Sequence, residues 1–487
     1  MDSGGLEPGA GLLHRLTSYE VGREWDVPVD DPRVLVDFVA NDEERVPWPV
    51  KRYDSGLPRV PLPRELPASD LPALAVLAAG GPSGPVPVDL AGLSRLLHLT
   101  AGVVRTMQAA PFGTFLFRAA GSAGGRFPLE FYIAVPEGSE LPLGVHWYDP
   151  VEHALVQVGP APRSGGAPTV VVTGVPWRTG WRYAERAFRH IYWDAGTALA
   201  QLLALSDSVG HQARLYTRFP DAGVSELIGI DGTHEWPVAL VTFGDGAPAV
   251  EAAAPAAAGV IDADPLEFPL VTTAQRAGDM DHLGSPWPVA PAVEVPISSD
   301  TTVDEVIVRR GSQRRMDPSR GLPEQTLRTS LAVALRGITV EHWLAVHDVT
   351  GLASGIYRMP DLDKPFRAAD QEWTRAELYR VCLDQTLGRD AAFVVMAATD
   401  VAQLSDREYR EAQLAAGIVE GRLHLAAYAL GAGATGMTFL DSEIPSLLSP
   451  ESPHALLFTC VGTPANNSKP AGAPGAPTSV RRVTPRE

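Results

Sequence analysis

Cysteine is almost missing. Cys382 and Cys460 are the only two in 487 residues, too few and too far apart for a disulfide framework or a four-ligand zinc site. That scarcity fits a reducing cytoplasm, the expected location. No apolar stretch approaches the roughly 18 residues of a membrane span. The opening "MDSGGLEPGAGLLHRLTSYE" lacks a basic segment leading into an apolar one, so it does not read as a secretory signal. Positive charge is in deficit: the formal net charge is -18, which argues against a nucleic-acid partner, because phosphate neutralisation needs clustered Lys and Arg in excess. A zinc-hydrolase His helix, a Gly-x-Ser-x-Gly elbow and a nucleotide P-loop are absent too, and no metal is expected.

What is present is a chain with 45% hydrophobic residues, long enough for about two or three domains. Glycine and proline gather between elements, near 80–86 and in "GAPAVEAAAPAAAG", which has linker composition. The expected organisation is an N-terminal extension at 1–87, a first domain at 88–245, a linker at 246–302, a second domain at 303–464 and a disordered tail at 465–487. Within the extension, "RVPLPRELPASDLPALAVL" reads as an arm followed by a helix.

The two halves share one order of elements, the signature of an internal duplication. The first ends with a strand "TVVVTG" (169–174), a long helix to Gly210, Asp221 and a strand "PVALVTFG". The second ends with "AAFVVMAAT" (391–399), a long helix to Gly431, Asp441 and "HALLFTCVG". An offset of 221 residues pairs Arg186 with Arg407, Arg189 with Arg410, Gly196 with Gly417 and Gly210 with Gly431 without a gap. Upstream, "GVHWYDP" and "GIYRMPD" are matching strand-and-turn units. Long apolar helices beside strands that need not be parallel predict an α+β class. Asp221 and Asp441 read most simply as helix caps, while Asp194 could be a cap or a ligand.

"WRYAERAFRHIYWDAG" (181–196) places Arg182, Arg186 and Arg189 on one face of a predicted helix, beside an apolar face of Ala184, Phe188, Ile191 and Ala195. On this pattern alone it is a solvated surface helix.

Three stretches resemble the FMN-dependent nitroreductase superfamily, and more closely its azoline oxidase branch. "VIVRRGSQRRM" is similar to an opening Arg-x-Ser-x-Arg motif at Arg310, Ser312 and Arg314. "FRAAGSAGGRFPLEFYIAV" resembles a Pro-Ser-x-Gly segment, with Gly121 in place of the proline. "LGAGATGMTFLD" resembles the passage from the long helix along the flavin ring. The resemblance implies tandem nitroreductase-like domains forming a pseudo-dimer within one chain, with higher oligomers left open. It implies FMN bound by Arg310, Ser312, Arg314, Ser122, Gly124, Gly125, Gly436, Met437 and Thr438. Guanidinium forks and a hydroxyl at a helix entry suit its phosphate, and small residues admit its ring.

The pieces divide between the halves. The first has "GSAGG" but no convincing Arg-x-Ser opening, its nearest candidates being Arg52 and Arg59; the second has the opening but no Ser-x-Gly segment. One composite site and one degenerate site are therefore expected. Azoline oxidases place a Lys-Tyr pair where this chain has Arg182-Tyr183. Arginine cannot release its proton at neutral pH, which leaves Tyr183 as the expected base with Arg182 easing its ionisation; simple packing of Tyr183 is the alternative. The implied reaction aromatises thiazolines or oxazolines in a ribosomally made precursor peptide, beside a cyclodehydratase partner. An NAD(P)H-fed nitroreductase, another FMN-dependent dehydrogenase and a catalytically silent scaffold subunit stand as the other readings.

Overall fold

The computed structural model describes residues 9–27, 31–35, 38–81, 85–108, 113–481 and 483. The Gly/Pro stretch near 80–86 lies partly outside these residues, as do the ends of the extension and tail. Among the described residues, no helix is long and apolar enough to cross a membrane.

Two wholly antiparallel sheets carry the same topology. The first runs Arg59–Pro61, Ala154–Gly159, Gly144–Asp149, Leu129–Val135, Thr169–Gly174, Trp236–Phe243, Ala213–Tyr216. The second runs Arg367–Ala368, Gly355–Arg358, Glu341–Val346, Phe393–Thr399, His454–Gly462, Gly433–Met437. Aligned from their second and first strands respectively, the two orders coincide, so the duplication is one of fold as well as of sequence. The central strands are continuous apolar runs because both faces are covered: every residue of Thr169–Gly174 and Trp236–Phe243 is buried.

Against the sheets lie two long helices, Ala187–Asp207 and Asp406–Ala429. The second starts at a capping box in which the Ser405 hydroxyl accepts from the Glu408 amide and the Glu408 carboxylate accepts from Ser405. Both are buried nearly all round because they pack on each other as well as on their own sheets. They cross where Gly196 meets Gly417. A Cβ on Gly196 would strike the Leu414 carbonyl oxygen, and one on Gly417 the Trp193 carbonyl oxygen. Leu199, Leu202, Leu414, Ile418 and Leu425 belong to a single hydrophobic cluster that includes residues of both halves. The pair is therefore held by one core.

Three expectations are corrected. The 181–196 stretch is not one helix: Pro176–Tyr183 ends at Ala184, whose φ of 46° and ψ of -139° are strained for a residue with a side chain, and Ala187–Asp207 starts anew. Arg186 and Arg189 are not solvated but fully buried. Nor are Asp221 and Asp441 simple caps. Arg186 and Arg189 both reach Asp441 at 2.7 Å, and reciprocally Arg407 and Arg410 reach Asp221 at 2.8 and 3.1 Å. Burial alone would raise the Asp441 carboxyl, but the Arg186 and Arg189 guanidiniums hold it below the ordinary range.

The tail also differs from its expected disorder. The Ala471 amide donates to the Val308 carbonyl, the Gly472 amide to the Val104 carbonyl, and Thr478–Ser479 pairs in parallel with Val103–Gln108. The extension and linker stretches contribute the Ala10–Leu16 and Pro269–Ala277 helices and the edge strand Arg59–Pro61.

Candidate functional site

Arg310 ends the Val303–Arg309 helix as its C-cap, and Ser312, Gln313 and Arg314 follow in extended chain. The expected helix entry is therefore absent, since the next helix begins at Glu324. Alternation does the positioning instead: Ser312 and Arg314 are exposed, while Gln313 and Met316 are buried. The Arg310 side chain turns inward, where Nε donates to Gln201 Oε1 at 2.7 Å and Nη2 to the Ala119 carbonyl at 2.7 Å. Both acceptors belong to the other half. Its Nη1 is buried with no partner, and desolvation pushes the guanidinium down to about 10.

Gly121 lies directly over this group, for a Cβ there would be 3.6 Å from Arg310 Nη1 and from Ser312 Oγ. The next residues make a tight turn with Gly124 and Gly125 at φ 59° and 66°, a left-handed pair that glycine adopts without strain. Over Gly124 sits the Arg182-Tyr183 edge: a Cβ there would be 2.7 Å from Arg182 Cδ and 2.8 Å from the Tyr183 hydroxyl. On the far side, Gly436 and Thr438 are partly open and Gly436 lies against the Glu420 carboxylate. Arg310, Ser312 and Gly121 thus meet where the halves join, Gly124 of the Ser122–Gly125 turn lies against Arg182 and Tyr183, and Arg314 is within electrostatic reach of Tyr183; with Gly436 and Thr438 they outline a candidate cleft.

Met437 does not join them. It alternates to the opposite side of its strand and packs into the second half's core. Ser122 is also turned from its expected role as a cofactor donor. Its hydroxyl donates to Asp194 Oδ2 at 2.5 Å and accepts the Phe127 amide at 2.8 Å. Arg52 and Arg59 lie away from the cleft, Arg52 over the Trp48 ring and Arg59 beside Asp149. His14 is packed among Tyr409 and His454 in the core.

The surroundings of Tyr183 count against its expected role as a base. Burial raises its phenol to about 12, and the nearby Arg182 and Arg314 charges only moderate that rise. At neutral pH the phenol keeps its proton. Its ring stacks on His190 at 4.1 Å, and burial holds that imidazole neutral, pushed down to about 3.

Three site residues were not singled out from sequence: Glu420, His424 and Gln201. His424 is buried beside Glu420, at 3.5 Å, with both ring nitrogens lacking a hydrogen bond. The 221-residue offset carries a signal for Glu420 and His424. It pairs Glu420 with Leu199, His424 with Leu203, Asp194 with Ala415 and Tyr183 with Leu404; polar residues face aliphatic ones at each pair. Leu404 packs on an apolar cluster of Trp193, Ala397, Ala412, Ala416, Leu456 and Leu457. The position paired with Tyr183 is thus aliphatic and packed on an apolar cluster.

The residues fit an FMN phosphate: an unpaired buried guanidinium nitrogen and an exposed hydroxyl meet beneath a glycine.

No family model matches the chain. A curated protein of Methanocaldococcus jannaschii described as a "putative nitroreductase" is 26% identical over 172 residues, covering 32% of this chain and 81% of its own. Of solved structures, one from Anabaena variabilis with the same description superposes with a TM-score of 0.69 at 22% identity, covering 93% of this chain and 99% of that one. Another, from Ralstonia eutropha, matches 41% of this chain and 95% of its own, at TM-score 0.31 and 22% identity. The fold is α+β, with two tandem nitroreductase-like units in one chain.

Proposed function

We propose that the chain is an FMN-dependent oxidoreductase that holds one flavin in the composite cleft and dehydrogenates thiazoline or oxazoline rings of a ribosomally made peptide. The observation that carries it is the partnerless Arg310 Nη1, buried beside Ser312 and Gly121 at the meeting of the halves. Arg310, Ser312 and Arg314 would hold the phosphate. The Ser122–Gly125 turn, Gly436 and Thr438 would flank the ring. FMN bound there would supply the hydride acceptor that aromatisation requires.

The chain's own groups then have distinct tasks. Tyr183, protonated at neutral pH, donates a hydrogen bond to the substrate ring, and the exposed Arg182 lends positive charge beside it. The aliphatic Leu404 where the second half would need its own Tyr183 supports one site per chain. The azoline specificity rests on the motif resemblance and on the Tyr183 placement. A cyclodehydratase in the same cytoplasm would supply the rings.

The absorbance spectrum of the purified chain, followed by mass analysis of an azoline peptide incubated with it, tests this reading. Loss of about 2 Da per ring with a flavin spectrum is the expected result. A colourless chain that takes up no added FMN would overturn it and leave a scaffold role. The described names of the relatives favour a second reading, an NAD(P)H-dependent nitroreductase. Rapid bleaching of bound flavin by reduced nicotinamide would select it.

A further inference from the structure

If Tyr183 is a donor, the cleft still needs a group that accepts a proton. Asp194 lies two residues before the Gly196–Gly417 crossing and is buried, with 4% of its surface exposed. Its carboxylate accepts both the Ser122 hydroxyl and, at 2.9 Å, the Ala123 amide. Ser122 Oγ also accepts the Phe127 amide, which leaves the oxygen one lone pair. Ser122 is partly open to the cleft, whereas Asp194 is behind it.

A second observation lies behind the turn. A small, partly open pocket of about 20 Å3 is lined by Thr100, Arg118, Ser122 and Asp194 among apolar side chains. It exceeds the ~10–15 Å3 that one water requires. Its walls are almost wholly apolar, however, which keeps the Asp194 carboxyl in dry surroundings.

We propose that Ser122 and Asp194 form the proton-accepting relay of the composite site. A proton leaving the substrate carbon forms a new O–H bond on Ser122 Oγ as the serine's own proton passes to Asp194 Oδ2. The hydride of the neighbouring carbon goes to the flavin oxidant of the proposed site, and the ring gains its double bond. Ser122 is the catalytic residue and Asp194 its positioning partner; the inference rests on the oxidoreductase reading.

Electrostatics agrees with this role. Burial raises the Asp194 carboxyl to about 8, against the lowering by Ser122 and Ala123, with Glu420 adding to the rise. The charged or titratable groups facing it are Glu420 from the Asp406–Ala429 helix, Tyr183 from the Pro176–Tyr183 helix and Arg118 across the cavity. Arg118 is itself engaged by the Glu130 carboxylate at 3.5 Å and the Leu129 carbonyl. Asp194 is thus poised to exchange a proton near neutrality, as a relay terminus requires.

The test uses the full chain and its Asp194→Asn and Ser122→Ala variants. Infrared titration should show a protonated-carboxyl band that disappears around pH 8, is absent in Asp194→Asn and persists in Ser122→Ala. Turnover of an azoline peptide should rise with pH across the same range, and each variant should keep its flavin while losing about 10²-fold or more in rate. Absence of the Asp194 band, or flavin-bound Asp194→Asn with unchanged rate and pH profile, would overturn the relay. A wild-type chain that binds no FMN would instead overturn the oxidoreductase reading on which it depends. Should Asp194→Asn not fold, Ser122→Ala decides: retained rate overturns the relay.

Discussion

Asp441 of the second half binds both Arg186 and Arg189 of the first at 2.7 Å, and Asp221 returns the same contact to Arg407 and Arg410. The duplicated units thus exchange one carboxylate each for two guanidiniums, in a buried interface where an uncompensated charge is costly. Replacing either aspartate by asparagine should destabilise the chain by about 3–5 kcal/mol, measured by urea unfolding. Asp441→Asn should additionally disturb the cleft, because the same arginine reaches Thr438; flavin affinity then separates the two variants.

The Gly196–Gly417 crossing tolerates no side chain. Gly196→Ala and Gly417→Ala should each cost about 1–3 kcal/mol through overpacking against the facing backbone carbonyl, read as a lower denaturant midpoint. Gly431→Ala meets no neighbouring atom, yet sits at φ 75°, so its penalty should come from the backbone alone.

Stability should depend on pH through Asp194 and His190 with opposite signs. Asp194 is raised from its ordinary range to about 8, so the folded state holds a proton that the unfolded state releases, and stability falls as pH rises from about 4 to 8. His190 is lowered to about 3; its contribution is present above about 6.5 and is lost as pH falls toward 3. Urea midpoints across pH 4–9 should lose their alkaline slope in Asp194→Asn.

One flavin per chain is expected. Arg310→Ala should abolish retention of FMN through gel filtration, while Arg52→Ala and Arg59→Ala leave it intact, since both lie outside the cleft. A ratio near two flavins per chain would contradict the single composite site.

Tyr183→Phe retains the ring that stacks on His190 and removes only the hydroxyl above Gly124. Flavin should stay bound while turnover of an azoline peptide falls by about 10²-fold. Unchanged turnover would return Tyr183 to a packing role.

The repeat, the two long helices and the central strands were legible in the chain because each rests on local pattern: continuous apolar runs, glycine spacing and an offset of 221 that needs no gap. The break at Ala184 was not, because no glycine or proline marks it. The exclusion of Met437 from the cleft required knowing which face of its strand is covered. Arg186 read as solvated because its partner, Asp441, lies 255 residues away, and charge pairing at that distance leaves no local trace. Asp194 shows the same division most sharply. Its chemistry is set by burial, by the Ser122 turn and by a cavity behind it, and desolvation exists only once the two halves have closed around the carboxyl.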